Sequence, residues 1–175
     1  MCAMKSVAIP LISVILLLIC SLNVKAQESG ADVGLQDTIY IIDSTDIAIT
    51  PPVEFKPFDQ IHGFIHMATS STIQVNQIED APYLMIVENM TDDHFASQGV
   101  TLLSQFEINE PDAKGYVYVI GFTIKGVDFE RIMYFTGDLN RTIWINANYP
   151  VMIKPLIYNA MLECVKTAHF VDSVE

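Results

Sequence analysis

With 175 residues and a formal charge of −12, the chain is long enough for one domain and a tail but not comfortably for two. So acidic a surface repels phosphate backbones and anionic lipid, which argues against nucleic-acid binding and electrostatic membrane docking.

Residues 1–26 have the pattern of a cleaved secretory signal. Lys5 supplies a positive start, Ile9 to Leu22 is an apolar run interrupted by Pro10 and Ser13, and Val24-Lys25-Ala26 places small residues before Gln27. The run is short for a membrane span, which needs about 20 apolar residues. Lipid anchoring through Cys20 is the rival, but Ile19 stands where a lipoprotein signal places glycine or alanine. The expectation is an exported protein, periplasmic or extracellular, without strong membrane association after cleavage. Cleavage removes two lysines and no acids, taking the formal charge from −12 to −14. Cys2 and Cys20 leave as well, so Cys164 has no intrachain disulfide partner. The core must then hold the domain without a covalent staple, which about 120 residues can do.

Residues 27–52 read as a flexible linker, polar and ending in Pro51-Pro52, with two apolar islands at Ile39 to Ile42 and Ile47 to Ile49. Each island is either part of a mobile tether or an added edge strand. The domain is expected over 53–171. Gly63 to Met67 and Thr72 to Ile78 are strands around Thr69-Ser70-Ser71. Asp80-Ala81-Pro82 can open a helix with Asp80 as N-cap, while Tyr83 to Val87 leaves helix against strand open. Thr91-Asp92-Asp93 starts a two-turn helix that Gly99 ends.

Four strands follow. Val100 to Ile108 leads into a polar loop over Asn109 to Gly115, and Tyr116 to Ile124 is apolar on both faces. A strand greasy on both sides belongs in the middle of a sheet with layers above and below. After a tight turn at Lys125-Gly126 come Val127 to Phe135 and Thr142 to Asn148, joined through Gly137-Asp138. Short loops between consecutive strands make antiparallel neighbours. Beyond Pro150, Ile153, Leu156, Ile157, Ala160, Met161, Cys164, Val165 and Ala168 form a helical stripe that must lie on one face of the sheet.

The order of these pieces resembles the PsbP-like superfamily, especially bacterial envelope proteins of the DcrB kind. The resemblance rests on Gly63-Phe64, Ser70 to Ile73, Gln98-Gly99, Gly137-Asp138, Tyr149-Pro150 and the terminal helix, from about residue 55 to 170. It implies an α+β fold, an antiparallel sheet sandwiched between helices, and carries over no catalytic residue.

Few residues suggest chemistry. His62 and His66 have the spacing of two ligands on a helix, but Gly63, Phe64 and Ile65 place them on a strand, about 13 Å apart and too far to share an ion. Cys164 lies on the apolar stripe, where a thiol is inert. No Gly-x-Ser-x-Gly elbow or Gly-rich phosphate loop is present. No catalytic residue, metal site or cofactor is therefore expected. Arg131, Arg141 and Trp144 remain, the only arginines and the only tryptophan, all on one hairpin. Alternation puts Trp144 on a face with Thr142, Asn146 and Asn148, either packed beneath a helix or at the edge of a groove. The arginines either pair with Glu130 and Asp138 or present an anion site. The leading expectation is a non-enzymatic binding or accessory module of the cell envelope, with an envelope protein or small ligand as partner. The competing readings are a secreted enzyme with a dispersed active site and a carrier of a small apolar ligand.

Overall fold

A computed structural model describes residues 33–171; the signal segment and residues 27–32 of the expected linker lie outside them. Seven antiparallel strands form the main sheet: β3 (Lys56–Phe58), β4 (Gly63–His66), β5 (Ser71–Glu79), β6 (Thr101–Glu110), β7 (Ala113–Ile124), β8 (Val127–Gly137) and β9 (Arg141–Pro150), in the order β3-β4-β5-β9-β8-β7-β6. A second, three-stranded sheet consists of β1 (Tyr40–Ile41), β2 (Ile47–Ile49) and the terminal β10 (His169–Phe170), with β2 in the middle.

The flexible-linker expectation thus fails from Val33 onward. Ile47, Ala48 and Ile49 are fully buried, and β2 pairs on one side with β1 and on the other with β10. The Gln36 side-chain amide donates to the carbonyls of Pro52 and Phe55, and Leu35 bridges to Pro52. The domain therefore does not begin at Val53. The islands looked like linker because the strand that completes their sheet lies at the far end of the chain.

Two apolar layers enclose the main sheet. Val117, Val119, Ile132, Tyr134, Ile143 and Ile145 point to one side, against Ile157, Met161, Cys164 and Val165 of helix α3 (Lys154–Lys166) and the small sheet. Tyr118, Ile120, Met133 and Phe135 point to the other, under α1 (Tyr83–Val87) and α2 (Asp92–Ser97). This is the antiparallel sheet between helices that the doubly apolar β7 called for. Cys164 is fully buried, and burial pushes its thiol pKa up.

Local chemistry sets the boundaries. Thr91 caps α2, its hydroxyl accepting from the His94 N–H, with Asp92 and Asp93 in the first turn. Thr91→Ala is expected to cost about 1 kcal/mol, read as a lower chemical-denaturation midpoint with an unchanged slope. Lys125 and Gly126, both at positive φ (51° and 82°), make the tight turn between β7 and β8. Gly137 has φ 145°, and a Cβ there would stand 2.1 Å from the Arg141 carbonyl oxygen.

Three local expectations need correction. Asp80 is not an N-cap: it has φ 57°, and α1 begins after Pro82 with no side-chain cap. The Ala81 peptide is held instead by Asn140 and Thr142, its N–H donating to the Asn140 carbonyl and its carbonyl accepting from the Thr142 hydroxyl. The polar stretch Asn109 to Gly115 is not a long loop, because the ladder continues to Glu110↔Ala113 and leaves only Pro111-Asp112 as the turn. Leu156 does not join the core face of α3 and is 53% exposed. Each residue turns a helix by about 100°, which places Leu156 beside the stripe rather than on it.

Candidate groove beneath helix α2

Arg131 on β8 and Trp144 on β9 share the face of the sheet turned toward α1 and α2. The register fixes this: Arg131 lies opposite Asn148, Met133 opposite Asn146, and Phe135 opposite Trp144. Arg131 and Trp144 therefore stand at two ends of a strip about 13 Å long. Helix α2 and the chain on either side of it roof the strip with Met90, His94, Phe95, Gln98 and Val100. Roof and floor border an open groove of about 420 Å³. Trp144 packs on Phe135 of β8, ring centroids 5.9 Å apart and planes 10° from parallel, and lines the groove.

Arg131 is oriented rather than neutralised. Its Nε donates to Asn148 Oδ1 at 2.6 Å, and Asn148 Nδ2 donates to Thr72 Oγ1 at 3.1 Å. Its guanidinium carbon lies 5.2 Å from the Phe122 ring centroid. Among the described residues no carboxylate pairs with Arg131, and its terminal nitrogens have no protein acceptor. Partial burial alone pulls its pKa below the ordinary value, and a guanidinium with so high a starting pKa stays charged. Two buried polar atoms on the same face also lack partners, Trp144 Nε1 and Asn146 Oδ1.

The expected Arg131–Glu130 pair does not form, because adjacent residues of a strand point to opposite faces. Glu130 faces the α3 side and is 6% exposed. It accepts from the Tyr149 hydroxyl at 2.7 Å and lies 2.8 Å from Lys154 Nζ. Burial first, then the Glu130 carboxylate, pushes the Tyr149 pKa upward. This carboxylate–phenol–ammonium cluster was not foreseen, although period two in β8 already separates Glu130 from Arg131.

Arg141 is not part of the groove. It lies across the sheet, 3.2 Å from Asp138 and 3.4 Å from Asp46, with its guanidinium carbon 3.9 Å from the Phe170 ring centroid. The Asn140 and Arg141 backbone N–H groups, followed by the Arg141 side chain, hold the Asp138 carboxyl below its usual range. Arg141 thus ties the β8–β9 loop to the small sheet. The three expected binding residues separate into a pair, Arg131 with Trp144, and one clamp.

The histidines are placed separately. His62 ends a 3-10 turn at φ 50°, outside β4, whereas His66 on β4 makes side-chain contacts with Thr69 at 2.7 Å and Glu54 at 3.2 Å. Among the described residues no three His, Cys, Asp or Glu side chains gather as a metal site would need.

Comparison with known proteins identifies the architecture. No protein-family model and no curated protein matches the sequence. Solved structures do match. One is cyanobacterial PsbP (CyanoP) from Synechocystis sp. PCC 6803, at TM-score 0.55 and 12% identity, covering 79% of this chain and 94% of that one. Another is a crystal structure from Bacteroides thetaiotaomicron VPI-5482, at TM-score 0.56 and 15% identity, covering 82% of this chain and half of that one. The chain has a PsbP-like fold. In this PsbP-like domain the groove uses the α2 side of the sheet, whose floor is β7, β8 and β9. Asn148 and Thr72, which orient Arg131, come from β9 and β5 beside it. Arg131 and Trp144 were legible as a pair of rare residues. The roof was not, because the docking of α2 against β6, with Phe95 reaching Tyr118 of β7, leaves no mark in the local pattern of those elements.

Proposed function

We propose that this protein is a non-enzymatic, exported binding or accessory module that holds its partner in the groove between Arg131 and Trp144. The observation that carries the reading is a half-buried guanidinium, aimed by Asn148, that no acid among the described residues neutralises in a chain of net charge −12. A charge removed from water is costly unless something compensates it, and a bound partner supplies the compensation. Arginine and tryptophan are also the residues that most often dominate binding energy. The signal-like residues 1–26 support export, and the resemblance to envelope proteins of the DcrB kind supports a place in the cell envelope. No helix among the described residues is long and apolar enough to cross a membrane.

Capture of partners from envelope extracts tests the reading. Arg131→Gln removes one side-chain hydrogen bond but also a half-buried charge, so its melting temperature should stay within a few degrees of the parent. The variant is expected to lose the captured partner, while Arg141→Gln retains it. Equal capture by Arg131→Gln and the parent would place the binding surface elsewhere.

A further inference from the structure

The groove has a chemical polarity that narrows what can occupy it. At one end Arg131 offers two terminal amino groups with no acceptor among the described residues. The middle and most of the roof are apolar, with Met90, Phe95, Val100, Ile120 and Met133. The far end is the Trp144 indole, whose buried N–H has no partner among the described residues. From these features we infer that the groove binds a monoanionic carboxylate carrying an aromatic or branched apolar body, with the carboxylate on Arg131 and the body toward Trp144. This ligand class rests on the groove being the binding surface, as proposed above.

Each part of the ligand answers a feature of the site. The fork of a guanidinium matches the two oxygens of a carboxylate, and such charge-assisted bonds are about twice as strong as neutral ones. A phosphate dianion is disfavoured, because no second arginine or lysine lines the cavity and the rest of the chain is strongly negative. The space of about 420 Å³ falls in the range of small-molecule sites, about 300–1,000 Å³. Two methionines give the walls shape tolerance, which suits a class of related bodies better than one rigid ligand. His94 and Gln98, the exposed polar residues of the roof, can meet polar substituents.

The same chemistry has two sources: a free acid, or the C-terminal carboxylate of a peptide ending in an apolar residue. Trp144 is the only tryptophan, so its fluorescence reports the groove without a label. The probes are 4-phenylbutyrate, its amide, inorganic phosphate, and acetyl-Ala-Phe with a free or an amidated C-terminus. A saturable change with 4-phenylbutyrate is expected, with the amide about ten- to a hundredfold weaker, the cost of losing one hydrogen-bonded charge. Arg131→Gln should show a loss of the same size. The amide comparison needs no variant and decides the matter even if Arg131→Gln fails to fold. Tighter binding of the free-terminus peptide than of 4-phenylbutyrate would support the inference and assign the source to a chain end; the reverse order would assign it to a free acid. Competition by phosphate at equal concentration, or equal binding of acid and amide, would overturn it. No saturable change with any acid would overturn the ligand class alone if Arg131→Gln still loses the captured partner. If that capture is also unaffected, the groove reading falls with it.

Discussion

Ala160→Asp is expected to abolish the cooperative fold, whereas Leu156→Asp is expected to leave the melting temperature nearly unchanged. The two positions are one turn apart on α3 and read alike in the sequence, yet Ala160 is buried and Leu156 is 53% exposed. A carboxylate at 160 would be buried on the side of α3 that carries Ile157, Met161 and Cys164. Burying an unpaired charge costs several kcal/mol, a large part of the ~5–15 kcal/mol that holds a domain together. At 156 the carboxylate faces water, and such surface changes stay within about ±0.5 kcal/mol. Circular-dichroism melts of both variants check the contrast. An early melt for Leu156→Asp would mean that α3 docks rotated from the position described.

The second large effect is expected at Glu130. Glu130→Ala would leave the Tyr149 hydroxyl without its buried acceptor and Lys154 without its counter-charge. Breaking a buried ion pair by removing one partner costs about 3–5 kcal/mol. Lys154 is 42% exposed at its side chain and can regain water, which puts the expected loss near the lower end. A loss of about 3 kcal/mol lowers the melting temperature by roughly 10 °C in a domain of this size. Glu130→Gln keeps an acceptor for Tyr149 and should lose less. Chemical denaturation at neutral pH, comparing midpoints at equal slopes, separates the three proteins. A neutral result for Glu130→Ala would show that the cluster is solvated.

What the sequence revealed was local. The doubly apolar β7, the Gly137-Asp138 turn, the Thr91 cap and the α3 stripe each declare themselves within about a dozen residues, because side-chain period and cap chemistry are short-range properties. What it hid was long-range. The β2–β10 pairing joins Ala48 to His169, and the Thr50 N–H reaches the Thr167 hydroxyl 117 residues away. No pattern within Ile47 to Ile49 distinguishes a strand with such a partner from a tether without one.

The site divides the same way. Strand alternation was enough to put Trp144 with Asn146 and Asn148, and it also separates Arg131 from Glu130, a consequence that adjacency in the chain obscured. That Arg131 and Arg141 lie on opposite faces needed the β8–β9 register. The helix roof, the hold of Asn148 on Arg131 and the clamp of Arg141 on Phe170 needed the fold itself.

The central claim is that Arg131 with Trp144, and not Arg141, forms the binding surface. Nitrogen-edited NMR tests it directly, since the chain has one indole N–H and only two arginine side chains to observe. During titration with 4-phenylbutyrate, the Trp144 Nε1–H and Arg131 Nε–H signals should shift together and saturate. The Arg141 Nε–H, held by Asp138, should stay fixed. Movement of Arg141 alone, or no movement at Trp144 and Arg131 while ligand binds, would contradict the account.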